Sequence, residues 1–186
     1  MLNDTGWNSK SVRGRRNAGS HYTIVISRLF DKKTSMNRKA LRVFVLADTH
    51  NHLPENLEAL ADDVDEIWHL GDVCAPDLIV RLESIGPPLT FVRGNCDTNF
   101  EWPLTVDLER NGVRCRLVHI PPAKPPEGID VLLHGHTHVP RHEQQGRVLF
   151  LNPGCVTRPD KGAPPSIAIL EITAQGRILW RLTRLR

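Results

Sequence analysis

No stretch of this 186-residue sequence stays apolar for the ~20 residues that a bilayer-spanning helix needs, so a transmembrane helix is excluded. Aromatic residues make up only 5% of it. The four tryptophans, Trp7, Trp68, Trp102 and Trp180, are dispersed and form no stacking platform, so single-stranded nucleic acid gains no support as a ligand. The four cysteines, Cys74, Cys96, Cys115 and Cys155, include no CxxC pair, which argues against a disulfide framework. A secretory signal is not visible either: the short apolar piece at residues 22–30 is broken by Ser27 and Arg28. Reduced thiols in the cytoplasm are the expectation. Internal repeats and low-complexity tracts are missing from residue 41 onward.

What is present is unevenly divided. Residues 1–40 carry nine basic and two acidic residues, a net +7, and the remainder fifteen basic and nineteen acidic, a net −4. A basic arm can meet nucleic acid or anionic lipid, but one rich in Arg, Asn and Ser has the composition of a disordered segment. Residues 1–38 are therefore expected as a disordered arm. Residues 39–186 are long enough for one domain with a proper core.

From residue 41 the pattern becomes orderly. Residues 41–47, 66–70 and 89–92 read as buried strands, and amphipathic helices opening at Pro54 and Pro76 lie between them. Two strand–helix–strand units in succession imply parallel strands. The second half is helix-poor. Strands at 105–110 and 113–119 flank Asn111 and Gly112, a preferred hairpin pair, and further strands fall at 129–134, 139–143, 148–151, 166–172 and 177–182. A parallel half followed by a mostly antiparallel half predicts an α/β fold of two packed mixed β-sheets with helices outside.

The polar residues at the strand ends carry the chemistry. Asp48 and His50 follow the first strand, Asp72 the second and Asn95 the third, while His119 ends a later strand and His136 and His138 follow another. In extended chain, residues two apart point the same way, so Asp48 with His50, and His136 with His138, are expected to reach one site as pairs. Two carboxylates, one amide oxygen and four imidazoles are too many donors for one tetrahedral zinc, and the thiolates of a structural site are missing. The mixture suits manganese, iron, zinc, nickel or cobalt better than magnesium or calcium, and it serves two ions if one carboxylate bridges them. Such a pair, about 3.5–4 Å apart, attracts phosphate and clamps an in-line displacement at phosphorus.

The ordered set Asp48, Thr49, His50; Gly71, Asp72; Gly94, Asn95, Cys96, Asp97; His119; and Gly135, His136, Thr137, His138 resembles the signature of the calcineurin-like metallophosphoesterases. The runs Val92 to Asp97 and Leu151 to Gly154 are similar to those of the small single-domain bacterial and archaeal phosphodiesterases. The resemblance covers about residues 41–182. It implies a four-layer sandwich of two sheets between helices, with Asp48, His50 and His138 on one metal, Asn95, His119 and His136 on the other, and Asp72 bridging. It also implies hydrolysis of a phosphodiester by a hydroxide bridging two divalent metals, manganese first among them, with Asp48, Asp72, Asn95 and His136 as the catalytic set. A small-molecule phosphodiester is the expected substrate and a homo-oligomer stays open.

Two departures qualify this. Many members of the wider family have His where Cys96 stands, and that His is thought to protonate the leaving group; a thiol matches the role poorly. The small phosphodiesterase branch itself commonly has Cys here, so this departure is from the wider family only. The segment after His119 is short and rich in proline (Pro121, Pro122, Pro125, Pro126), where relatives often have a helix, so a more open pocket is expected. His52 could assist from its loop. His134 reads as a core residue behind the site, His69 as a donor to a backbone carbonyl, Asp97 as a cap for backbone N–H groups, and Asn152, Pro153 and Gly154 as a turn beside the site. The alternative function is a scaffold of the same fold acting through protein partners, as the retromer scaffold subunit does; an apolar patch away from the site would favour it. Metallo-β-lactamase-like and amidohydrolase patterns fit poorly. Met36 stands just before the first clear strand, so a chain begun there is expected to keep full activity; a large loss in a phosphodiester assay would make residues 1–35 part of the working protein.

Overall fold

The computed structural model of the chain describes residues 23–26 and 39–185. Its strands are β1 (Thr23–Ile26), β2 (Leu41–Leu46), β3 (Glu66–His69), β4 (Leu89–Phe91), β5 (Thr105–Arg110), β6 (Val113–Val118), β7 (Val131–Leu133), β8 (Arg141–Gln145), β9 (Val148–Asn152), β10 (Ser166–Ile172) and β11 (Ile178–Arg184). The helices are α1 (Leu57–Leu60) and α2 (Asp77–Glu83). One sheet runs in the order β1-β11-β10-β2-β3-β4 and the other β5-β6-β7-β9-β8. Most of the expected basic arm lies outside the described residues, but four of its residues form β1, which pairs antiparallel with β11.

Strand β2 shows why two layers form. Val43 and Val45 face one way and join Trp68, Leu70, Leu117, Leu133 and Leu151 between the sheets. Phe44 and Leu46 face the other and pack with Leu57, Ala61 and Leu82 from the helical side. A strand buried on both faces has no polar alternation, which is the run seen at 41–47. Among the described residues no helix covers the second sheet; its outer side carries a small cluster of Val118, Ile129, Leu132, Val148 and Phe150.

Two expectations change. The helix expected from Pro54 to Val64 is one turn, Leu57–Leu60, whose Asn56 makes no capping hydrogen bond. Asp62 and Asp63 follow where a helix dipole disfavours acid, and Asp63 turns left-handed (φ 56°). The second half is also less antiparallel than its hairpins suggest, because β6, β7 and β9 are mutually parallel. Parallel pairing follows from connections that are not hairpins, at 119–130 and 134–147, and strand patterns carry no record of direction.

The expected hairpin is present. Asn111 (φ 49°) and Gly112 (φ 78°) both take the positive φ that a tight two-residue turn requires. The Asn111 side chain then donates to Ile172 O (3.0 Å), tying the tip of one sheet to the other. Beside it Arg110 donates to Glu66 through Nε (2.6 Å) and a terminal nitrogen (3.2 Å), and Trp68 Nε1 donates to the same carboxylate (2.9 Å). This forked pair joins β5 to β3 at a half-buried position. Arg110→Ala leaves Glu66 with only the indole donor, so a loss of about 1–2 kcal/mol in urea-unfolding free energy is expected, discounted for solvent at the guanidinium.

Candidate metal centre

Asp48, Asp72 and Asn95 follow β2, β3 and β4, and His119 and His136 follow β6 and β7, so five carboxyl-end loops of parallel strands meet at one end of the two sheets. That is where ligands collect in such sheets. The structure brings all seven expected residues together. Asp48, His50, Asp72 and His138 each present an atom within 4.8 Å of the others. Asn95 Oδ1 stands 2.9 Å from His119 Nε2 and 2.8 Å from His136 Nδ1. Between the two groups lies Asp72, with Oδ1 3.3 Å from His119 Nε2 and Oδ2 3.8 Å from His50 Nε2.

The pairs meet by a different route from the one expected. Asp48 (φ 53°), His50 (φ 42°), Asp72 (φ 57°), His136 (φ 67°) and His138 (φ 55°) are all left-handed, so the residues two apart converge through tight turns and not through extended chain. Such backbone is uncommon outside glycine and costs of order 1–3 kcal/mol per residue where it is strained. Hydrogen bonds hold it: Asp48 N–H to Gly71 O (3.0 Å), His50 N–H to Asp72 O (3.0 Å) and Asn51 N–H to Val73 O (3.1 Å). The His136 N–H points at both Asp48 oxygens (3.2 and 3.1 Å).

Asp97 performs the capping role expected of it. Its Oδ2 accepts from Gly94 N–H (2.7 Å) and Asp72 N–H (3.0 Å), and its Oδ1 from Cys74 N–H (2.7 Å). The loops after β3 and β4 are thereby latched so closely that a Cβ on Gly94 would fall onto the Asp72 carboxylate and backbone N.

The outer hydrogen bonds fix which nitrogen each ring presents to the centre. His119 Nδ1 faces Leu70 O at 2.8 Å and His138 Nδ1 faces Arg158 O at 2.6 Å. A carbonyl only accepts, so both Nδ1 atoms carry the proton, and each ring, when neutral, turns a bare Nε2 inward. There they meet more acceptors: Asp72 and Asn95 oxygens for His119, and Asp48 Oδ1 (3.4 Å) for His138. Acceptors converging on acceptors require a proton or a cation between them. Carboxylates, an amide oxygen and imidazoles, the rings fixed by outer hydrogen bonds, are donors suited to divalent transition metals.

Protonation follows the same logic. Burial pushes the Asp48 carboxyl up to about 6, with His119 and His138 drawing it back. A cation entering beside Asp48 displaces that proton, so its affinity falls as the pH drops through about 6. Burial also opposes the charges of Asp72 and His119. Hydrogen bonds from His119 and the Cys96 N–H nonetheless hold Asp72 well below the usual carboxylate range, and its partnership with Asp72 raises His119. Burial lowers His50 and His136.

Of the residues expected around the site, His134 is buried and donates from Nδ1 to Gly135 O (3.0 Å), its pKa lowered by burial to about 4. Asn152 Nδ2 also donates to Gly135 O (3.0 Å) and Thr137 Oγ1 (3.1 Å), setting the turn that carries His136. His69 is buried but accepts the Gly71 N–H at Nδ1 (3.1 Å), with Nε2 beside Thr49 Oγ1 (3.0 Å). It is therefore an acceptor from backbone, against the expectation of a donor, and burial lowers its pKa to about 3. His52 is exposed and holds His50 O at 2.9 Å. Sequence reasoning missed Cys74, whose Sγ lies 3.5 Å from His50 Nδ1 where His119 and His138 have a backbone carbonyl. It also missed the loop at 155–158, in which Cys155 and Thr157 bond to Asp48 O (3.1 and 3.5 Å). The Asn152, Pro153, Gly154 turn just before it was the available signal.

The family model for the calcineurin-like phosphoesterase superfamily domain matches residues 41–175. The chain belongs to that family. A probable metallophosphoesterase of Methanothermobacter thermautotrophicus is 32% identical over 149 residues, covering 70% of this phosphoesterase and 86% of that protein. Phosphodiesterase YfcE of Escherichia coli is 31% identical over 144 residues, covering 68% and 70%. The structure of vacuolar protein sorting 29 from Cryptosporidium parvum superposes with a TM-score of 0.67 at 24% identity, covering 80% of this chain and 93% of that one, a likeness of fold. Gly94→Ala in this phosphoesterase is expected to reduce bound metal to near background in elemental analysis of purified protein, while circular dichroism keeps its folded shape.

Proposed function

We propose that this protein hydrolyses phosphodiesters at a two-cation centre. Asp48, His50 and His138 hold one cation, Asn95, His119 and His136 the other, and Asp72 serves both, with manganese the first expectation. The observation that carries this reading is the position of Asp72 between two imidazole-bearing groups of donors. When bound, the pair supplies a water acidified enough to attack at neutral pH and a positive field for the phosphoryl oxygens. The protein's part is to fix the donors in advance. His119 and His138 are oriented by carbonyls, Asp72 by Asp97 and the Cys96 N–H (2.8 Å to Oδ1), and Asp48 by the His136 N–H.

Cys96 occupies the place of the usual proton donor. It is exposed beside Asn95, whose Nδ2 donates to its sulfur (3.4 Å), and burial together with Asp72 raises its pKa. A thiol held protonated there is a weak acid, so the reading favours diesters whose leaving groups depart without strong protonation. The four free cysteines fit a reducing compartment such as the cytoplasm.

A silent scaffold of the same fold is the second reading, and two observations weigh against it. No donor position is lost. Three of the four exposed large hydrophobic side chains among the described residues, Phe100, Leu104 and Ile120, also border the centre, leaving Val80 alone elsewhere. Purified protein with added Mn²⁺ is expected to hydrolyse bis(p-nitrophenyl) phosphate, and Asn95→Ala to lose about a hundredfold or more in kcat/KM. Activity without metal dependence, or equal in the variant, would overturn the proposal.

A further inference from the structure

Phe100, Leu104 and Ile120 are 80%, 60% and 56% exposed and line one cleft of about 430 Å³. The same cleft is lined by Asn95 and His119, so it opens directly onto the candidate metal centre. Single exposed apolar residues need no explanation, but three converging on a reaction centre mark a binding surface. Leu104 precedes β5 and Ile120 lies just beyond β6. The register Thr105 to Val118 sets them at the same end of that hairpin.

The connecting loop is built to present Phe100. Asn99 Oδ1 accepts the Glu101 N–H (3.0 Å), closing a turn. Trp102 meets Phe91 edge to face (centroids 5.0 Å, 79°), anchoring the loop. Phe100 is left standing outward. Arg93 donates to Phe100 O (3.2 Å), and its guanidinium carbon lies 4.9 Å from the ring centroid. The ring is thus held beside a cation that also lines the cleft, and most of its surface remains for a ligand.

We propose that this cleft binds an aromatic ester arm of the substrate, stacked on Phe100 between Leu104 and Ile120, so that the enzyme selects phosphodiesters bearing at least one flat aryl or base-like group. The proposal rests on the phosphodiesterase reading and deepens it. An arm bonded to a phosphorus held near Asn95 and His119 enters the adjoining cleft directly. The volume suits a small aromatic group. A charged arm would lose hydration against Leu104 and Ile120, and a methyl group would leave Phe100 uncovered.

Titration calorimetry of Mn²⁺-loaded protein with diphenyl phosphate and dimethyl phosphate tests this, using wild type, Phe100→Ala and Ile120→Ser. Both substituted side chains are exposed, so the variants should fold. Diphenyl phosphate is expected to bind about tenfold more tightly than dimethyl phosphate in the wild type, with most of that ratio lost in Phe100→Ala. The KM for bis(p-nitrophenyl) phosphate should rise in Phe100→Ala by a similar factor with kcat little changed. Equal binding of the two diesters by the wild type, or a preference that survives in both variants, would overturn the subsite. A dimer in sedimentation that Phe100→Ala dissolves, with the phenyl preference intact, would assign the cleft to a second copy and also overturn it. In the titration, binding gives a heat pulse at each injection and any hydrolysis a sustained heat flow, so the two are read separately. Failure to hydrolyse any diester while the phenyl preference holds would therefore sink the phosphodiesterase reading and spare the aryl subsite.

Discussion

Three backbone N–H groups, those of Asp72, Cys74 and Gly94, donate to the single buried carboxylate of Asp97, and the geometry of the centre depends on that convergence. Hydrogen bonds to an ionised acceptor are among the stronger ones, and three on one buried group fix two loops from different strands as a unit. The unit puts Asp72 against the bare backbone of Gly94, where no side chain fits. It also sends Asn95 across to His119 and His136. Without the latch, the loop after β4 could move away from that after β3, and the carboxylate shared by the two groups of donors would serve only one.

The electrostatics of the site follow from this enforced crowding. Asp48 and Asp72 are both nearly inaccessible, and so is His119. Buried charge is costly unless paired, so protons and cations compete for these donors: burial keeps a proton on Asp48 up to about pH 6, and Asp72 favours one on His119. Divalent cations would replace those protons. The left-handed turns at five of the seven donors are part of the same arrangement, because strain persists only where surrounding hydrogen bonds over-determine it.

The gathering of these residues was legible because ligand-type side chains at buried strand ends are conspicuous: Asp48, Asp72 and Asn95 follow apolar runs that have no other reason to end in acid or amide. The sheet pair was legible for a related reason, since the run at 41–47 has too little polar alternation for a half-exposed strand. Strand direction in the second half was not, because β6, β7 and β9 look the same in sequence whether parallel or antiparallel. Nor were the turns that bring Asp48 to His50. Positive φ at aspartate and histidine leaves no compositional mark, unlike Asn111 and Gly112. The role of His69 was misassigned because its partner, the Gly71 N–H, is created by the turn itself.

Cys96 and the apolar cleft bear on one another. On the proposed reading, with Cys96 where the wider family has its proton donor, the centre would work best on esters that depart as stable anions, and aryl oxides are such groups. The Phe100, Leu104 and Ile120 surface is suited to hold aryl groups. Ile120, just before the proline-rich segment at 121–126, is left exposed in that cleft, so a weak acid and a bare apolar surface would favour the same kind of ester.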